Sequence, residues 1–133
     1  MIKVFFILTL LATAIYADKC GGNCPGGNCP SCPCGTTALK ADVDAACRKH
    51  SWSQTCCKCI VGKESGGNAH AMGYNTNGTF DVGLFQINKV NWSCNSGNAP
   101  CDVDSSIKCA IKVYDGAGGK WRPWSTAHAC GCV

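Results

Sequence analysis

The chain has 133 residues, of which 14 are cysteine, above the roughly 8–10% that marks a short disulfide scaffold. Charged residues make up 15%, hydrophobic residues 46%, and the formal net charge is +4. That excludes a disordered chain and a nucleic-acid-binding one, which need high charge or a dense basic face. The acids are equally uneven, with seven aspartates and a single glutamate, Glu64.

Length allows one domain plus a tail. Met1-Ile2-Lys3 is a short basic start, Val4 to Ile15 is apolar apart from two threonines, and Tyr16-Ala17 ends in a small residue. This reads as a secretory signal peptide over residues 1–17, cleaved after Ala17. A membrane anchor is the alternative, but a span needs about 20 apolar residues and this run has about a dozen. The expectation is an exported, soluble and monomeric protein with no stable membrane association. An oxidising compartment also suits the cysteine count.

Residues 18–35 hold Cys20, Cys24, Cys29, Cys32 and Cys34 among Gly, Asn and Pro, with Gly-Gly-Asn-Cys-Pro occurring twice. Such a stretch has no apolar side chains for a core, so crosslinks must order it. Disulfides are the first reading and a zinc-thiolate site the second. Five cysteines in the tail and nine in residues 36–133 add a parity constraint. If all pair, at least one disulfide joins tail to domain, although connectivity is not legible.

In the domain, Leu39, Val43, Ala46 and Cys47 recur at helical spacing, which predicts a helix over about 38–50. A second helix is predicted from Thr55 to Ser65, stopping at Gly66-Gly67, so that Glu64 lies on its last turn. Asn75-Thr76-Asn77-Gly78 is a turn sequence, and Thr79 to Ile87 is rich in strand formers, which gives a small hairpin. Asp102 or Asp104 caps a third helix whose apolar face is Ile107, Ala110, Ile111 and Tyr114. Trp121-Arg122-Pro123-Trp124 and then Cys130 and Cys132 close the chain. The expected class is α+β, mainly helical with a small antiparallel sheet.

Elimination narrows the chemistry. There is no Gly-x-Ser-x-Gly elbow and no phosphate-binding loop. His50, His70 and His128 lack zinc-ligand spacing, so no metal and no cofactor are expected. Glu64 and Asp81 remain, one at a helix end and one on the hairpin. Two carboxyl groups facing one cleft are the minimal equipment for glycosidic cleavage: one gives the leaving oxygen a proton, and the other faces the developing oxocarbenium ion. Apolar surroundings would raise the Glu64 pKa, and Asn75, Asn77 and Asn88 are placed to hydrogen-bond Asp81. As a bare pair the two acids read more readily as solvated surface charges than as a catalytic pair.

The surrounding motif is far more specific. Glu64-Ser65-Gly66-Gly67-Asn68, Asn75-Thr76-Asn77-Gly78 and Asp81-Val82-Gly83-Leu84-Phe85-Gln86-Ile87-Asn88 closely resemble the lysozyme superfamily. Order and spacing look like the chicken-type lysozymes, and the Glu-Ser-Gly-Gly-Asn and Gly-Leu-Phe-Gln-Ile stretches are equally similar to soluble lytic transglycosylases. Cys56-Cys57-Lys58-Cys59 is similar to the approach to the glutamate in invertebrate-type lysozymes. The resemblance covers about residues 38–130 and leaves the tail outside.

The resemblance implies a lysozyme-like catalytic domain over 36–133 that acts on bacterial cell-wall peptidoglycan. Glu64 would be the general acid and Asp81 the nucleophile or electrostatic stabiliser, as in lysozymes generally. Trp121 would keep the glutamate dry, Trp92 would stack on a sugar, and Asn75, Gln86 and Asn88 would line the cleft. Trp121 as a core aromatic and Gln86 as a partner for backbone groups stay open. Asn91 stands where many chicken-type enzymes have another tryptophan, and the Cys94–Cys109 stretch departs from the family's cysteine spacing. Asp102 and Asp104 offer too few oxygen ligands for a tight calcium site. Lytic transglycosylation and a non-catalytic, cysteine-rich binding or antimicrobial role are the rival functions. Asn77-Gly78-Thr79 and Asn91-Trp92-Ser93 are glycosylation acceptor patterns in cleft segments, and both are expected to be unmodified.

Overall fold

The computed structural model describes residues 18–133; the signal-peptide reading lies outside the described residues. Helix α1 (Val43–Cys47) is followed by α2 (Gln54–Ser65), strands β1 (Met72–Tyr74), β2 (Phe80–Val82) and β3 (Ile87–Asn88), a 3₁₀ helix over Lys89–Asn95, α3 (Val103–Gly116) and a 3₁₀ turn at Ser125–Ala127. The strands form one antiparallel sheet in the order β1-β2-β3. The α+β class read from the sequence is what the chain adopts.

The helix expected over 38–50 is only five residues long. Residues 39–41 are instead extended and bonded to the chain after α2: Ala69 N–H donates to Leu39 O, Ala41 N–H donates to Gly67 O, and Lys40 bridges Asn68. The helix starts where Asp42 caps it, by accepting from Ala45 N–H. Helix α2 matches its expectation closely. Ser53 caps its start, and Gly66 ends it at φ 61°, a left-handed conformation that glycine adopts without a Cβ penalty.

The strand signal over 79–87 resolves into two strands, because residues 83–86 turn between β2 and β3. Gly83 lies at φ +82°, and a Cβ there would stand 2.5 Å from Ser106 Oγ and 2.6 Å from Pro100 O. Only glycine lets the sheet approach the start of α3 so closely. Asp102 caps that helix by accepting from Ser105 N–H. Its Ile107 and Ala110 are buried, and Ile111 and Tyr114 are half-buried. The core continues into an aromatic group in which Trp52, Tyr114, Trp121 and Trp124 are neighbours, with centroid separations from 4.8 to 5.5 Å.

All fourteen cysteines pair, so the zinc alternative is set aside in favour of disulfides. Cys20–Cys32 and Cys24–Cys29 close the tail on itself, and Cys34–Cys101 is the tail-to-domain bond that parity demanded. The tail also lies against the free edge of β1. Met72 N–H donates to Asn23 O, and Asn28 Nδ2 donates to Tyr74 O. Asn23 is fully buried; its amide donates to Gly35 O and Thr37 O, and its Oδ1 accepts from Asn68 Nδ2.

Removing that amide breaks three hydrogen bonds and leaves the buried Asn68 amide without its partner. Asn23→Ala should therefore cost about 2–4 kcal/mol, whereas Asn28→Ala, at an exposed side chain with a single bond, should cost less than about 1 kcal/mol. Thermal unfolding of the two variants checks the ranking, and equal losses would contradict it.

Candidate active site

A cleft of about 190 Å³ lies between the end of α2, the sheet, and the Pro123–Ser125 segment. Glu64 and Asp81 both line it, with Gln86, Ile87 and Asn88 from the sheet side. Asn91, Val113, Pro123, Trp124 and Ser125 complete the wall. Glu64 arrives there because three disulfides tie α2 to α1 on one side and to the C-terminal segment on another. Cys57 bonds Cys47, Cys56 bonds Cys132, and Cys59 bonds Cys130. The last two bonds hold the C-terminal segment against the helix, and Thr126 Oγ1 donates to Glu64 Oε2 at 2.7 Å.

Burial raises the Glu64 pKa above the ordinary carboxylate value, the hydroxyl of Thr126 partly opposes it, and the nearby Asp81 charge raises it further. Loss of hydration disfavours the ionised form, so Glu64 is the group in the cleft suited to holding a proton. Asp81 is placed by register. It lies directly opposite Asn88 across the β2–β3 pair, and Asn88 Nδ2 donates to Asp81 Oδ1 at 2.8 Å. The same amide donates to Thr79 Oγ1.

Of the asparagines expected around Asp81, only Asn88 touches it. The Asn75 amide donates to Thr79 O and Oγ1, and Asn77 Oδ1 accepts from Thr79 N–H and Oγ1. Both are committed to the turn, and Asn75 is not part of the cleft wall. Gln86 does line the cleft and also serves the backbone: its amide donates to Ala71 O and Gly83 O at 3.0 Å each. These bonds hold a residue whose own φ is +50°.

Neither tryptophan predicted for the cleft reaches it. Trp92 is buried, with its indole N–H donated to Ile87 O, because its 3₁₀ helix folds that face inward. Trp121 is buried between Trp52 and Tyr114. The indole in the wall with Glu64 is Trp124, fixed by its N–H to Phe85 O at 2.9 Å. The paired tryptophans were visible in the sequence, but not which one faces the cleft. Thr126 had no signal at all, since it meets Glu64 across 62 positions. Among the described residues no cluster of three or more His, Cys, Asp or Glu is placed to hold a metal ion.

The family profile described as a lysozyme-like domain matches residues 44–126. The chain belongs to the lysozyme-like family. It is 37% identical to lysozyme X of Drosophila melanogaster over 87 residues, covering 54% of this chain and 60% of that protein. It is also 37% identical to lysozyme-like protein 6 of Bos taurus over 82 residues, covering 50% of this chain and 55% of that one. The chain thus spans somewhat over half the length of these relatives.

Two outcomes follow from the carboxyl environment. Thr126→Val removes a donor to the ionised form, so the Glu64 pKa should rise further, read by NMR titration of the carboxyl carbon; a fall would contradict the assignment. A carboxyl whose folded pKa is raised destabilises the fold once pH passes that pKa. Glu64→Gln should therefore raise the thermal midpoint at pH 7, with the gain fading as pH falls below the ordinary glutamate range. A gain larger in acid than at neutrality would oppose this reading.

Proposed function

We propose that this chain is a secreted muramidase that hydrolyses the β-1,4 glycosidic bonds of bacterial peptidoglycan, in antibacterial defence or bacterial digestion. The observation that carries the reading is the pairing of a buried carboxyl of raised pKa, Glu64, with a second carboxyl, Asp81, in the wall of one cleft. Glu64 protonates the glycosidic oxygen as the C1–O bond breaks. Asp81 faces the positive charge that develops on the ring and stabilises or captures it. Water then completes hydrolysis as the deprotonated Glu64 takes up its proton.

The membership of the chain in the lysozyme-like family supports peptidoglycan as the substrate class, and chitin is a second candidate. No described helix is long and apolar enough to cross a membrane, and seven disulfides suit an oxidising location. Asn91 lines the cleft, so a glycan on its acceptor pattern would obstruct a polymer. The active protein carries none there.

Clearing of a bacterial cell-wall suspension tests the roles. Glu64→Gln should abolish lysis, a loss of at least about a hundredfold, as general-acid catalysis is worth about 10²–10⁴. Asp81→Asn should lose less, and the reverse ranking would mean that the roles are exchanged. Equal lysis by wild type and Glu64→Gln would sink the enzymatic reading in favour of a binding or membrane-active protein. Mass spectrometry of the digest should show reducing muramic ends; anhydromuramic ends alone would move the chain to the lytic transglycosylases.

A further inference from the structure

The cleft does not end at its catalytic pair. Two further depressions share Asn91 and Val113 with it, and Lys112 lines both of them. One continues over Ser93 and Cys94, and the other over Gly116 and Ala117. Lys112 is the one charged residue in either wall. It is exposed and makes no ion pair or side-chain hydrogen bond among the described residues. On its own helix no acid is paired with it. Lys108 stands one turn before it and Gly116 one turn after, and Asp115 three positions on is engaged by His50 at 3.3 Å.

An exposed ammonium outside any ion pair, beside a groove that would carry a glycan, has consequences for which glycan is held. Chitin is neutral and offers it only hydroxyls and amides. In peptidoglycan every second sugar bears a 3-O-lactyl arm that ends in a carboxyl group, either free or joined to a peptide stem with carboxylates of its own. An ammonium and a carboxylate attract across a solvated groove, modestly and in a salt-dependent way.

We propose that Lys112 is a specificity residue that binds the carboxylate-bearing arm of the muramyl sugar in the groove beyond Val113. This deepens the peptidoglycan reading and rests on it. The test measures binding, in a Glu64→Gln background that does not cleave. The probes are a soluble muroglycan tetrasaccharide with its stems, the same glycan stripped of stems by an amidase, and chitotetraose.

Adding Lys112→Met should raise Kd for the stemmed glycan about two- to fivefold, the range expected of an exposed ion pair. It should leave chitotetraose unchanged, the difference should shrink in high salt, and Lys112→Arg should restore affinity. A loss that extends to the stripped glycan shows that the freed lactyl carboxylate also serves as a partner, and a loss confined to the stemmed glycan assigns the peptide carboxylates; both support the proposal. An equal change for chitotetraose, no change for the stemmed glycan, or no binding of any probe overturns it. Failure of the wild type to clear cell walls would sink the muramidase reading, while the binding comparison is decided separately.

Discussion

Helix α2 carries cysteines at 56, 57 and 59, and they tie it to two places: Cys57 to Cys47, and Cys56 and Cys59 to Cys132 and Cys130. The site depends on this. Glu64 lies on the last turn of α2, where a free helix end would fray and hydrate its carboxyl group. With the helix tied to α1 on one side and to the C-terminal segment on the other, Trp124 and Thr126 are held against the glutamate. Burial raises its pKa, and one hydroxyl moderates the rise. The disulfides add to the core a rigidity of the kind common in secreted, cysteine-rich domains.

The second carboxyl is positioned by different means. Asp81 owes its place to sheet register and to Gly83, which lets the β2–β3 turn pack under α3. The sheet is only three short strands, and its outer edge would otherwise be open. The tail covers that edge through Asn23 and Asn28 and is bonded to the segment before α3 through Cys34–Cys101. Unpaired strand edges invite association with other chains, so the cysteine-rich segment supplies the sheet with the partner it lacks.

Local signals in the sequence were informative wherever the determining interaction is itself local. The Gly66 stop, the Asp102 cap and the Asn75–Gly78 turn all act within a few residues, and each stands where the pattern put it. The first helix is shorter than its apolar spacing implies, because residues 39–41 direct their backbone bonds to Gly67 and Ala69 instead. Glu64, Asp81, Gln86 and Asn88 meet in the cleft as the motif suggested. Trp92, Trp121 and Asn75 do not, because a side chain's direction depends on partners far away in the sequence. Thr126 shows the limit most clearly, since it is brought to Glu64 by disulfides that join α2 to the far end of the chain.

The span of those disulfides also sets a clock for assembly. Cys56–Cys132 and Cys59–Cys130 close loops of 76 and 71 residues, and disulfide formation takes seconds to hours while a chain grows by about 5–20 residues each second. Residues 130 and 132 must leave the ribosome before the helix that bears Glu64 can be locked. The cleft therefore takes its final form only after most of the chain has been made. Under the proposed function, a lytic activity would be withheld from the nascent polypeptide and would appear only once an oxidising environment had sealed the last crosslinks.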